Sequence, residues 1–156
     1  MAKPRVVFDC MIFLQAAAKP SGPAAVLLEL VEICELELFV SEACIEEIRD
    51  VLARPSLQRK FPSLTISTVS DFLERIRLCS VLTKDVPSLF TLDRDPKDAK
   101  YIDLVIAARA DFLVTRDNDL LDLREAGSPL LPIFEQLDLQ CKIVDPFQML
   151  SYLRTS

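Results

Sequence analysis

Short apolar runs alternate with helical patterns along this chain, and the alternation narrows the folds open to it. Val6–Phe8, after Arg5, is a β-branched and aromatic run typical of a strand buried on both faces. Leu36–Val40 and Phe112–Thr115 follow the same pattern. Strands separated by helices favour a mainly parallel sheet with helices on both faces. The sequence therefore predicts a single α/β domain over residues 1–156, built as three α/β/α layers around a mainly parallel central sheet.

Capping and helix-breaking residues set the predicted boundaries together with periodicity. Ser21 or Gly22 caps a helix that has Pro23 in its first turn, and Ser41 caps the next helix. Strands are predicted at 5–8, 36–40, 80–83, 112–115 and 142–144, and helices at 12–18, 23–35, 42–53, 57–61, 66–78, 97–110, 120–125 and 146–153.

Composition excludes several classes of protein. The chain has no histidine, so imidazole cannot serve as a base or a ligand. Its five cysteines are scattered without a C-x-x-C pair, which argues against a disulfide framework or a zinc site. A net charge of −6 argues against a protein that coats nucleic acid by bulk electrostatics, though not against a site whose acids bind metal. No apolar run is long enough for a bilayer span or a signal peptide, so we predict a cytoplasmic protein without membrane contact.

Two aspartates stand where predicted strands end. Asp9 directly follows the first strand, and Asp117 lies two residues past the strand that ends at Thr115. Ligands bind beyond the carboxyl ends of strands in open α/β sheets, so both acids can face one crevice. Carboxylate oxygens suit Mg²⁺ or Mn²⁺, and a carboxylate site without histidine indicates metal-dependent phosphodiester chemistry. The alternative for each aspartate is a helix N-cap, a common role for this residue.

Helical phase separates two neighbouring glutamates. One apolar stripe is predicted on the helix after Ser41, formed by Cys44, Ile45, Ile48, Val51 and Leu52. Glu46 falls nearly opposite this stripe and is predicted to be solvated. Glu47 lies on its border, where burying a carboxylate is costly unless it is paired or bound to metal. We therefore predict Glu47 as a ligand, the alternative being a glutamate that extends its carboxylate to water.

The same argument applies to the helix predicted at 97–110. Asp98 lies near the centre of its apolar side, at the end towards the strand-end crevice, whereas Asp103 points away. We prefer Asp98 as the ligand, with helix capping as its alternative role. Asp119, just beyond the last strand-end acid, is a candidate for a weaker metal contact or for a helix cap.

Three blocks of sequence resemble a known family. They are VVFDCMIFLQA, VSEACIEEIRDVLARP and RDPKDAKYIDLVIAARADFLVTRDNDLL, and together they resemble PIN-domain proteins over nearly the whole chain. The resemblance is to the group of toxin components of toxin–antitoxin systems, similar to the VapC toxins. It implies a metal-dependent endoribonuclease that cleaves RNA, with a small antitoxin protein as partner and a homodimer as its assembly.

The resemblance also implies a ligand set for Mg²⁺ or Mn²⁺. The matching acids are Asp9 after the first strand, Glu47 of the S-x-x-x-x-x-E helix, Asp98 at the start of the later helix and Asp117 after L-V-T, with Asp119 as an outer contact. A second family pattern, an acid just ahead of I-A-A-x-A, points to Asp103 instead of Asp98.

One residue departs from the family pattern. Where the family has D-x-N or D-x-S after the first strand, this chain has Asp9-Cys10-Met11. A methionine side chain makes no strong hydrogen bond, and losing an outer contact of a metal site typically costs about 10–100-fold. The alternative hypothesis is therefore an impaired PIN fold that binds RNA or an antitoxin without turnover. A haloacid-dehalogenase-like phosphatase ranks lower, because it needs a second aspartate at the position of Met11.

Overall fold

Strands and helices alternate along the described part of the protein. The computed structural model describes residues 3–86, 99–121 apart from the side chain of Asp119, 132, 135–136 and 140–155. The strands are β1 (Arg5–Phe8), β2 (Glu37–Val40), β3 (Ser80–Leu82), β4 (Phe112–Val114) and β5 (Lys142–Val144). The helices are α1 (Cys10–Ala18), α2 (Pro23–Glu32), α3 (Glu42–Leu52), α4 (Pro55–Lys60), α5 (Ile66–Cys79), α6 (Ala99–Ala108), α7 (Asn118–Leu121) and α8 (Pro146–Thr155).

The central sheet has five parallel strands in the order β3-β2-β1-β4-β5. β1 lies in the middle, and its Val6 stands opposite Leu38 of β2 and Phe112 of β4. Val6 and Val7 have no exposed surface, as expected for a parallel sheet covered by helices on both faces. The predicted α/β fold with a parallel central sheet is confirmed.

The strand order reverses next to β1. The chain places β2 and β3 on one side of β1, and then crosses over to place β4 and β5 on the other. A reversal of this kind opens a crevice at the carboxyl ends of the two strands that flank it, here β1 and β4. The residues that follow β1 and β4 therefore face the same crevice.

Most predicted boundaries agree with the structure within two residues. The largest difference is α2, which ends at Glu32 rather than near Glu35. Cys34 takes a φ of 67° there, and the Glu35 N–H donates to the Leu30 carbonyl at 2.9 Å. This is the turn that usually closes a helix at glycine. Arg109, with a φ of 51°, follows the end of α6 in the same left-handed conformation.

Two predicted helix ends lie outside the described residues. They are the start of α6 at 97–98 and the end of α7 near 125. In the described ranges, no single helix is long and apolar enough to cross a membrane. α1 and α2 pass that test only as a pair bent by 98°, and most of their apolar side chains are buried in the core.

The positive φ of Cys34 predicts a difference in stability between two variants. Cys34→Gly is expected to be more stable than Cys34→Ala by about 1 kcal/mol, because glycine adopts a positive φ without the steric cost of a Cβ. Both variants remove the exposed thiol, so their comparison isolates the backbone. Equilibrium unfolding in urea measures the difference, and equal stabilities would contradict the account.

Candidate active site

The crevice between β1 and β4 holds two of the predicted ligands. Asp9 directly follows β1, and its N–H donates to the Val114 carbonyl of β4 at 3.1 Å. The chain then continues from β4 through Thr115 to Asp117. The acids after the two strands are thus brought together by the pairing of the strands themselves.

Asp9 is a buried helix cap as well as a strand-end acid. Asp9 is only 3% exposed. One carboxylate oxygen, Oδ1, accepts a hydrogen bond from the Ile12 N–H at 3.1 Å and caps α1. The other, Oδ2, accepts from the Thr115 hydroxyl. The two roles considered for Asp9, cap and ligand, therefore do not exclude one another.

Burial dominates the electrostatics of Asp9. It raises the pKa of this carboxyl to about 6, hydrogen bonds from Thr115 and Ile12 oppose the rise, and the charge of Asp117 adds to it. The ionised form of Asp9 is destabilised, because its charge is buried and is repelled by the carboxylate of Asp117 where water is excluded. A cation placed between Asp9 and Asp117 would offset this destabilisation.

Thr115 is a site residue that the sequence analysis did not single out. Its side chain is fully buried. The hydroxyl donates to Asp9 and accepts from the Asp117 N–H at 3.0 Å, so it links the two acids through one oxygen. The L-V-T motif contained the residue, but only the pairing of β4 with β1 reveals its partner.

Asp117 begins α7. Its carbonyl accepts hydrogen bonds from the N–H groups of Leu120 and Leu121 at 3.1 and 3.0 Å, and the residue is half-buried. These backbone bonds fix the direction in which the chain leaves β4, and they keep the acid beside Thr115.

The separation of Glu46 from Glu47 is confirmed. Glu46 is exposed, whereas the side chain of Glu47 is 22% exposed. The Glu47 carboxylate accepts hydrogen bonds from the Lys100 ammonium and the Tyr101 hydroxyl, both at the start of α6. Neither partner was predicted, because each lies more than fifty residues away in sequence and no local pattern pairs them.

Cys10 interacts with both Glu47 and Asp9. Burial raises the pKa of its thiol to about 12, and the charges of Glu47 and Asp9 add to the effect. A thiol of this kind stays protonated at neutral pH and is a poor nucleophile. Cys10 is 8% exposed and forms part of the core.

The predicted orientation of Asp103 is wrong. The residue is 4% exposed rather than turned to solvent. α6 packs against β1, β2, β4 and α3, so it is buried on more sides than the single apolar stripe assumed for it. Asp103 lines a cavity beside Ser41 and Lys100.

Two further predicted site residues are not placed by the structure. Asp98 lies outside the described residues, and so does the side chain of Asp119. Their proposed roles therefore stay predictions.

The donor chemistry fits a divalent ion, although the ligand set is incomplete in the described part of the chain. Among those residues, no three acidic or cysteine side chains lie close enough together to hold a metal ion. An ionised carboxylate has about four lone-pair sites. Asp9 interacts with the Met11 backbone as well as with Ile12 and Thr115. Glu47 interacts with the Cys10 thiol as well as with Lys100 and Tyr101, so about three sites are used on each acid. Both acids thus retain oxygen lone pairs of the kind that Mg²⁺ and Mn²⁺ prefer.

Comparison with known proteins identifies the family. The model of the PIN domain family matches residues 5–119, which is most of the chain. The chain belongs to the PIN domain family. The uncharacterized protein MJ1680 of Methanocaldococcus jannaschii is similar to this PIN-domain chain, with 25% identity over 128 residues that cover 82% of this chain and 80% of the relative.

Family membership gives the site a general chemistry. PIN domains are generally nucleases that use divalent metals and bind nucleic acid. The match includes the three elements that carry Asp9, Glu47 and Asp117, namely β1, α3 and the turn after β4. The protein therefore has the fold of a metal-dependent nuclease.

The buried charge of Asp9 predicts a pH-dependent cost in the metal-free protein. Asp9 has a pKa of about 6 when folded and 3.8 otherwise. The unfolded chain therefore ionises first, and the contribution of Asp9 to stability, present below pH 3.8, is lost as the pH rises through 6. The loss is at most about 3 kcal/mol. Asp9→Asn cannot ionise, so its stability relative to the wild type should rise by up to this amount between pH 4 and pH 7.5.

Urea unfolding in the presence of a chelator, at both pH values, measures this change. Glu46→Gln is the matched control, because it removes an exposed carboxylate and should shift stability equally at the two pH values. A relative stability of Asp9→Asn that does not change with pH would contradict the burial argument.

Proposed function

We propose that the protein is a metal-dependent endoribonuclease whose ligands for Mg²⁺ or Mn²⁺ are Asp9, Glu47, Asp98 and Asp117, with Asp119 as an outer contact. The observation that carries the proposal is the link from Asp9 through the Thr115 hydroxyl to Asp117 at the strand-order reversal. Helix caps alone would not require the two acids to share a buried hydroxyl.

The residues of the site have separable roles in this proposal. Asp9 and Asp117 would supply carboxylate oxygens to the ion, while the Thr115 hydroxyl orients the Asp9 carboxylate and binds the Asp117 backbone N–H. A bound divalent ion supplies an activated water and neutralises the charge that develops on the phosphate. Burial of Asp9 excludes water from one side of the site, which strengthens its attraction for a cation.

RNA as the substrate rests on the resemblance to toxin-type PIN proteins. The same resemblance supports products with a 5′-phosphate and a 3′-hydroxyl, a small antitoxin protein as partner, a homodimer and a cytoplasmic location. We include these as parts of the proposal.

Loss of Glu47 should abolish cleavage in a way that loss of its neighbour does not. Glu47→Gln and Asp9→Asn are expected to reduce Mn²⁺-dependent cleavage of single-stranded RNA by about 100-fold or more, because each removes an ionised ligand. Glu46→Gln, one residue away and exposed, should retain wild-type cleavage. Initial rates on a fluorophore-labelled RNA provide the measurement.

The same assay separates the two candidates for the third acid. Asp98→Asn should abolish cleavage, whereas Asp103→Asn should reduce it only through its effect on stability. Wild-type cleavage by Asp9→Asn would refute the proposed function, and wild-type cleavage by Asp98→Asn together with loss in Asp103→Asn would reassign the third ligand.

A second candidate function is favoured by Met11. Its side chain is 45% exposed beside Asp9, where the family has a hydrogen-bonding residue. The hydrogen bonds that hold Asp9 come instead from the Ile12 N–H and the Thr115 hydroxyl. This arrangement supports a PIN fold that binds RNA or an antitoxin and turns over slowly or not at all.

Met11→Asn tests this second function. If the missing amide limits turnover, the variant should cleave RNA about 10–100-fold faster than the wild type, with unchanged RNA affinity in a filter-binding assay. Met11→Leu is the control, because it keeps an apolar side chain of similar size. Equal cleavage by all three proteins would show that residue 11 does not limit turnover.

A further inference from the structure

Lys100 occupies an unfavourable place for a lysine. Its side chain is only 28% exposed, and a largely buried ammonium is costly unless it is paired. The contact with Glu47 is the compensation that the structure provides.

The charge of Lys100 acts on groups near Glu47 as well as on Glu47 itself. It opposes the rise in pKa that burial causes at the thiols of Cys10 and Cys44. Cys10 is the residue next to Asp9, so the charge of Lys100 also acts close to that predicted ligand. Lys100 thus supplies one positive charge at a site of several carboxylates.

Both carboxylate oxygens of Glu47 accept a hydrogen bond from α6 in this arrangement. Lys100 donates to Oε2, and Tyr101 donates to Oε1. Asp9 and Asp117 are the acids that interact with one another, and in the described part of the chain they form no three-ligand group with Glu47. A divalent ion bound to Glu47 would stand close to the Lys100 ammonium and be repelled by it, so metal binding favours exchange of the Lys100 contact for a bond to metal.

Space for the released ammonium is available beside it. Lys100 lines a cavity of about 640 Å³ at the carboxyl ends of β2 and β3. Glu42, Asp85 and Asp103 are among the residues that line this cavity. The Glu42 carboxylate is already paired with Arg77. The ammonium can therefore leave Glu47 and remain close to negative charge.

We propose that Lys100 is an internal cation that a divalent ion must displace from Glu47, and that this exchange sets the affinity of the site for metal. Lys100 is then a positioning residue that holds Glu47 in place in the metal-free protein. The proposal rests on the proposed function only in taking Glu47 as a metal ligand, and it requires no cleavage of RNA.

Removing the ammonium should tighten metal binding. Lys100→Met keeps the length of the side chain without its charge, and Mn²⁺ titration followed by the EPR signal of free Mn²⁺ should show about tenfold tighter binding than in the wild type. Lys100→Arg restores the cation and should return the affinity towards that of the wild type. Tyr101→Phe removes only a neutral donor to Glu47, so it should not reproduce the tightening.

Lys84→Met is the control for overall charge. Lys84 lines the same cavity, is exposed, and its charge acts on Glu42. Its loss should change the Mn²⁺ affinity by no more than about twofold, because a more exposed charge is screened by salt. Tightening of equal size in Lys84→Met and Lys100→Met would overturn the proposal.

A measurement on the wild type keeps the proposal testable if Lys100→Met does not fold. Acetylation of lysines, quantified by mass spectrometry, should be faster at Lys100 with Mg²⁺ than without it, while exposed Lys60 is unaffected. The proposal would be overturned if Mg²⁺ left the acetylation of Lys100 unchanged. It would also be overturned if folded Lys100→Met bound Mn²⁺ no more tightly than the wild type, or if neither the wild type nor this variant bound Mn²⁺. If Lys100→Met binds Mn²⁺ more tightly but neither the wild type nor any variant cleaves RNA, the exchange is supported and the nuclease function is refuted. If the wild type cleaves RNA but Lys100→Met has the Mn²⁺ affinity of the wild type, the nuclease function is supported and the exchange is refuted.

Discussion

The buried carboxylate of Asp9 is the constraint on which the site depends. It stands at the end of the central strand, where the strand order reverses, and it caps the first helix. A carboxylate in this position is stabilised by the few donors that surround it, the backbone N–H groups of Met11 and Ile12 and the Thr115 hydroxyl. Those donors do not offset the cost of burial, so the pKa of Asp9 stays above its usual range. A cation bound beside Asp9 would stabilise its ionised form.

Charge balance at the site is divided between two pairs of residues. Asp9 and Asp117 lie together on the β1–β4 side, linked by Thr115. Glu47 lies on the α3–α6 side with Lys100 and Tyr101. One half therefore has excess negative charge and the other is neutral. In this arrangement the acids are held in place before any ligand binds, because the Glu47 charge is neutralised by Lys100 and only Asp9 and Asp117 repel one another.

The sequence predicted the features that depend on local periodicity. Short β-branched runs between helices predicted the parallel sheet, and the phase of α3 separated Glu47 from Glu46, because both depend on neighbours a few residues away. Asp103 was misplaced because α6 packs against three strands and another helix, so that a single apolar stripe was the wrong pattern for it. Thr115, Lys100 and Tyr101 could not be predicted as partners of Asp9 and Glu47, since those contacts depend on strand order and helix packing over long separations.

The central claim is that Asp9 and Asp117 bind one divalent ion between them. The most direct test is anomalous diffraction from crystals of the full chain soaked in Mn²⁺. Our account predicts an anomalous peak bonded to carboxylate oxygens of both residues, with Thr115 still in contact with Asp9. A well-ordered site without such a peak at saturating Mn²⁺, or a peak bound only to acids elsewhere on the protein, would contradict it.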